Sequence, residues 1–185
     1  MSLTNGAVLE DELLRRVLST LLREDTYGLR SRARAEHRPD GDWLRLSAAG
    51  EALALPVGPE GFQCEIQARR PLLETRDGTV TGLRPVLARL RPAAPPEDRA
   101  GYDAFLAECD AALAAIRLHS EVRETVVARL AAAYGPHTAR WTGPRASLAY
   151  DALAAFRDHP VHPTGRARSG LTEGQLRRYA PEFHT

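Results

Sequence analysis

Leu9, Leu13, Leu14, Val17, Leu18, Leu21 and Leu22 recur at helical intervals near the start of the chain. That spacing lines one face of a 3.6-residue period and predicts a helix over residues 9–23. The period then changes. Trp43-Leu44-Arg45-Leu46 follows an Arg-Pro-Asp-Gly-Asp turn signal, Leu53, Leu55 and Val57 alternate, and Phe62, Cys64 and Ile66 alternate again. Arg76-Asp77-Gly78 marks a further turn before Thr79-Val80. Alternation bounded by turns predicts short antiparallel strands joined by hairpins, so the middle of the chain reads as a small sheet. Residues 91–98, Arg-Pro-Ala-Ala-Pro-Pro-Glu-Asp, break every period and read as a connector. Helical spacing resumes beyond it. Tyr102, Phe105, Leu106, Cys109, Leu113 and Ile116 form one stripe, and Val122, Val126, Leu130 and Tyr134 form a second that ends at Gly135-Pro136. Gly143-Pro144 opens a further helix through Leu148, Ala152, Leu153 and Phe156. Helix, small antiparallel sheet and helical bundle in succession predict an α+β fold.

Composition narrows the function classes. A hydrophobic fraction of 43% and a charged fraction of 26% over 185 residues suit one well-buried domain, or one domain and the start of another. A net charge of +1, with no basic block interleaved with aromatics, gives no reason to expect a nucleic-acid or membrane partner. All 25 basic residues are arginine. A Schiff-base lysine, a pyridoxal-phosphate enzyme and a Walker-A phosphate loop all require an ammonium group, and each is excluded within this chain. Cys64 and Cys109 have no tight spacing and read as core thiols of a reduced, cytoplasmic protein. The first leucines are interrupted by Glu10, Asp11, Glu12, Arg15 and Arg16, which is neither a signal peptide nor a bilayer span.

One segment concentrates chemistry. Residues 159–170 read His-Pro-Val-His-Pro-Thr-Gly-Arg-Ala-Arg-Ser-Gly. Pro160 and Pro163 stiffen the backbone and push His159 and His162 towards extended geometry. In an extended backbone Arg166 and Arg168 would project to the same side. A guanidinium pair suits bidentate recognition of phosphate or carboxylate, and a nearby imidazole can donate a proton or hydrogen bond to developing negative charge. Two plainer readings stand beside this one. The segment can be a proline-stiffened loop whose histidines bond nearby carbonyls while its arginines face solvent. His159 and His162 can also ligate zinc, with His184 the only nearby third candidate.

His-Pro-x-His-Pro, two further residues, a basic residue, x-Arg-x-Gly, a short helix and Tyr179-Ala180-Pro181-Glu182-Phe183 together resemble the signature of the aerobactin-type (IucA/IucC) siderophore synthetases, which work without a non-ribosomal peptide synthetase. The preceding helix, sheet and bundle are similar to that family's first (thumb) domain. The resemblance implies a thumb-like α+β domain over residues 1–157, and the start of a fingers domain carrying the motif over residues 158–185.

It further implies a ligase of iron acquisition. A carboxylic acid such as citrate or a succinyl group attacks the α-phosphate of ATP with Mg²⁺ present, and an amine, hydroxylamine or alcohol captures the acyl-adenylate. On this reading His159 and His162 are catalytic, and the same pair with Arg166 and Arg168 binds the triphosphate or substrate carboxylate. Arg166 stands where the family often has lysine, so a planar fork replaces a point donor. Glu173 and Glu182 read as a helix-start charge and part of the Tyr-Ala-Pro-Glu turn.

Most nucleotide contacts and the acidic metal ligands are expected outside this sequence, so the chain alone is not expected to complete an adenylation cycle. It is expected to be an excised domain, half of a split enzyme or a remnant. Expected partners are the small carboxylate and amine substrates, a C-terminal half, a homologous synthetase or a second copy. The alternative function is a non-catalytic module that docks on or regulates a full-length synthetase.

Overall fold

A computed structural model describes residues 3–61, 65–159, 161–168, 170–180 and 183. The fold is α+β, as expected. The chain divides into two compact units, residues 2–110 and residues 111–185.

The first unit opens with α1 (Leu3–Arg23), longer at its start than the leucine spacing predicts. Leu13, Leu14, Val17, Leu18, Leu21 and Leu22 are all buried, so the expected apolar face is the face the core uses. Six antiparallel strands follow: β1 (Arg34–Arg38), β2 (Gly41–Ala48), β3 (Glu51–Pro59), β4 (Ile66–Ala68), β5 (Leu72–Thr75) and β6 (Gly78–Thr81). Their order in the sheet is β1-β2-β3-β5-β6, with β4 also paired to β3. The alternation read through Phe62 and Cys64 lies outside the described residues; Ile66 opens β4.

Register explains the two faces. Leu44 opposes Leu55 and Leu46 opposes Leu53, all buried. One residue along, Trp43 opposes Pro56 and Arg45 opposes Ala54, which turns these to the other face. There the guanidinium of Arg38 lies 4.0 Å and that of Arg70 5.2 Å from the centre of the Trp43 ring. Glu36 accepts from Arg38 at 2.7 Å and from Arg45 at 2.7 Å, and the Trp43 indole donates to Asp40 at 2.8 Å. Arginine–carboxylate pairs and an arginine-covered ring close this face.

Two elements escaped the sequence pattern. β1 contains no large apolar residue, as an edge strand bearing charge need not. The helix α2 (Leu83–Leu90) buries Leu83, Val86, Leu87 and Leu90, a spacing that is helical once seen. Its first amide is capped from a distance, Leu83 N–H donating to Glu10 Oε1 at 2.9 Å. The connector after it is two short 3₁₀ turns, Arg91–Ala93 and Pro96–Asp98.

The two apolar stripes beyond the connector are not two helices but one, α3 (Arg99–Tyr134), 36 residues long. No glycine or proline separates Ile116 from Val122, so nothing in the sequence stops the helix between them. Within the first unit Tyr102 donates its hydroxyl to Leu87 O at 2.7 Å, and Cys109 is buried as expected.

In the second unit α4 (Pro144–Ala154) follows Gly143-Pro144 as read. Its inward face is Ala146, Ala149 and Ala152, packed with Val126, Leu130, Trp141 and Phe156. Leu148, expected on that face, is exposed. Trp141 locks the preceding loop by donating from its indole to Gly135 O at 2.9 Å. A last short helix, α5 (Glu173–Tyr179), carries Glu173 in its first turn, as its sequence position suggests.

Candidate functional site

The His-Pro segment begins where α4 unwinds. Phe156 N–H and Arg157 N–H still reach back to Leu153 O and Ala154 O, at 3.2 and 2.9 Å. Beyond Asp158 the chain folds into successive turns, with Gly165 N–H to His162 O at 3.1 Å, Ala167 N–H to Thr164 O at 2.7 Å, and Leu171 N–H to Arg168 O at 3.1 Å. The extended geometry that would align Arg166 with Arg168 is therefore absent. Turns rather than a strand set where these side chains go.

The two imidazoles are brought together. Their ring centres lie 4.5 Å apart at an interplanar angle of 35°, and both residues are exposed. His159 Nδ1 accepts from His162 N–H at 3.1 Å and from Val161 N–H at 3.3 Å. A nitrogen that accepts cannot carry the proton, so in this arrangement the hydrogen of the neutral ring sits on Nε2. Gly165 lets the turn close tightly under the stack, because a Cβ there would lie 3.1 Å from His159 Cβ and 3.2 Å from His162 O. Pro163 is buried beneath the turn, while Pro160 and Ser169 lie outside the described residues.

The two arginines part company. Arg166 turns inward, with its side chain 13% exposed, and its Nε lies 3.0 Å from Asp158 Oδ1. Its Nη2 also donates to Phe156 O, which ties the turn to the end of α4. Arg168 is exposed and borders a hollow of about 140 Å³ floored by Ala111, Ala115 and Leu118 of α3 and by Leu176 of α5. Glu173 stands at the rim of the same hollow. His159, His162 and Arg166 do not line it.

Supporting residues absent from the sequence-derived site come from α3 and α5. His119 is 2% exposed, the one buried polar or charged residue among those described. Its ring meets Phe156 edge-on at 5.2 Å and lies 6.5 Å from Phe183. Phe156 thus bears on the turn twice, through its ring to His119 and through its carbonyl to Arg166. A histidine on an apolar stripe was the available signal, since such a residue must find a ring or a polar partner.

Thr172 caps α5 in a reciprocal box with Gln175. Arg177 pairs with Glu173 at 2.8 Å and lies 3.9 Å from Glu121 of α3. Arg129 donates to Phe183 O at 3.0 Å. Pro181, Glu182 and His184, which carry part of the family ending and the third zinc candidate, lie outside the described residues.

Residues 147–185 match the IucA / IucC family. The resemblance read from His159 to Phe183 is thereby borne out, over a stretch that also takes in most of α4. No curated protein shows significant similarity to the chain. No helix among the described residues is long and apolar enough to cross a membrane.

Proposed function

We propose, from the match of residues 147–185 to the IucA / IucC family, that this chain contributes an anion-binding turn to ATP-dependent siderophore synthesis in the cytoplasm. The reaction joins a carboxylic acid of the citrate or succinyl type to an amine, hydroxylamine or alcohol through an acyl-adenylate. One observation carries this reading: the His159–His162 stack, in a turn fastened by Arg166 to Asp158 and Phe156 O.

The chemistry of each residue follows from its setting. His159 offers Nε2–H as a hydrogen-bond donor to a phosphoryl or carboxylate oxygen, and His162 stands beside it as a second donor or proton carrier. Arg168, exposed beside a small apolar floor, supplies a planar fork for a carboxylate or phosphate. Arg166, committed to Asp158, positions the turn rather than meeting the anion. Among the described residues no group of three or more His, Cys, Asp or Glu side chains could hold a metal ion. The described residues do not fit a magnesium site.

The test supplies ATP, Mg²⁺, citrate and hydroxylamine, and measures hydroxamate and pyrophosphate with the chain alone and with a family synthetase added. Direct ATP and citrate binding to the chain is measured alongside. The expected result is binding that falls about tenfold or more in His162→Ala and in Arg168→Gln. Unaltered binding in both variants, or no binding of either ligand and no product with the synthetase present, overturns the proposal. Tight association with the synthetase without ligand binding favours the docking-module alternative.

A further inference from the structure

A second place for an anion lies in the first unit, among residues that the His-Pro segment does not include. Two adjoining cavities of about 290 and 550 Å³ share Gly28, Arg32, Pro92 and Ala93 along their walls. The smaller is near the lower limit of small-molecule sites, and the larger is a shallow hollow open to solvent. Leu29 and Leu46 line the smaller, and Tyr27, Pro95 and Arg99 line the larger. Among the described residues no carboxylate lines either one.

The charge pattern is unusual for this chain. Several arginines elsewhere in the unit are matched to acids: Arg38 and Arg45 to Glu36, Arg84 to Asp110, Arg89 to Glu51, and Arg91 to Asp103. Even the arginine-rich cleft on the outer face of the sheet contains Glu51, Glu74 and Asp77. Arg32, by contrast, donates to the backbone carbonyls of Gly28 and Tyr27. Arg99 Nε is closed off from solvent, and no acceptor reaches it among the described residues. A shielded guanidinium N–H without an acceptor is costly unless something supplies one. Arg99 also opens the 36-residue α3, where the helix dipole adds positive potential.

The backbone around the cavities is held in costly conformations. Tyr27, on the larger, has a φ of 53°, in the left-handed region that side chains avoid, while Ala49, at φ 49°, belongs to the two-residue Ala49-Gly50 turn between β2 and β3. Asp25, also left-handed at φ 49°, fixes the loop by accepting from Arg30 N–H and Ser31 N–H, each at 2.8 Å. Non-glycine residues in this region concentrate at binding sites, where surrounding structure sustains the strain.

We infer that this groove binds a small molecule with an oxyanion head, phosphate or carboxylate, between Arg32 and Arg99, and an apolar body against Tyr27, Leu29 and the proline wall. The inference stands apart from the proposed function and shares none of its residues.

The test titrates the unaltered chain with phenyl phosphate, benzoate and inorganic phosphate while amide NMR shifts are recorded. Expected are saturable shifts at Gly28, Ala49 and Ala93, with an aromatic probe binding more tightly than inorganic phosphate. Whichever of phenyl phosphate and benzoate binds more tightly assigns the head group. Arg32→Gln and Arg99→Gln, each checked by circular dichroism, are expected to weaken that binding about tenfold, and Arg76→Gln on the exposed β5–β6 turn to leave it unchanged. The inference is overturned if no probe shifts those amides at millimolar concentration, if the shifts map only to residues 159–168, or if folded Arg32→Gln and Arg99→Gln bind as the parent does.

Discussion

Gly165 shows how a single hydrogen atom in place of a methyl sets the candidate site. A Cβ at Gly165 would crowd His159 Cβ and the His162 carbonyl, so Gly165→Ala requires one of them to give by a few tenths of an ångström. Overpacking of this kind costs about 1–3 kcal/mol, and the measurable result is loss of the His159–His162 proximity in NMR spectra. Arg166→Gln removes the cation beside Asp158 and the donor to Phe156 O. A cost of about 1–3 kcal/mol by denaturant titration is expected, towards the lower end because Asp158 is 30% exposed and water replaces part of the contact. Cys109 gives a chemical check on the fold. Burial first, then the charges of Glu108 and Asp110, push its thiol up to about 12. At neutral pH it is a thiol rather than a thiolate, and a disulfide reagent is expected to modify it only as fast as the protein opens. With Cys64 replaced by serine, so that Cys109 is the one thiol left, rapid modification of the native chain would contradict its placement.

The elements were legible where periodicity was strong and hidden where something other than an apolar stripe defines them. α1, β2, β3 and α4 were visible in the pattern, because each sets apolar residues at the period of its element, although β3 buries both faces from Leu53 to Val57. β1 was not, since its residues are arranged to present Glu36 and Arg38 to the outer face rather than to fill a core. α2 shows the reverse case, a legible spacing interrupted to the eye by Pro85 near its start, where proline is tolerated. The histidines were found and Asp158 and His119 were not. The motif names its donors, but their fastening comes from the end of α4 and from mid-α3. α5 has its own determinant in Thr172. Thr172→Ala is expected to destabilise this short helix by about 1 kcal/mol, read as faster amide exchange across Glu173–Tyr179. Leu130→Ala, at the fully buried centre of the α3–α4 contact, is expected to cost about 2–5 kcal/mol in thermal or denaturant unfolding.

For the molecule as a whole, charge rather than apolar area distinguishes the outer face of the sheet. Hydrogen bonds from Arg38 and then Arg45 hold Glu36 below its ordinary 4.5, and the Trp43 indole with Arg70 and Arg69 holds Asp40 below 3.8. Asp103, bonded to Arg91, and Asp25, bonded to the Ser31 and Arg30 amides, are lowered likewise. Carboxylates depressed by folding add stability above their ordinary values and lose that contribution as pH falls through the depressed ones. Residues 2–110 are therefore expected to lose exchange protection progressively from about pH 4 downward, as these groups take up protons. Undiminished protection after all four have titrated would argue against the network.

In the proposed site the two nitrogens of His159 would serve separate ends, and two substitutions can divide them. Asparagine places an amide oxygen near the Nδ1 position, so His159→Asn keeps an acceptor for the Val161 and His162 amides while deleting the outward donor. Glutamine reaches instead towards the Nε2 position, retaining the donor and abandoning those amides. A chain that tolerates asparagine in its architecture but not in ligand binding, and glutamine in neither, would separate scaffold from chemistry within one imidazole.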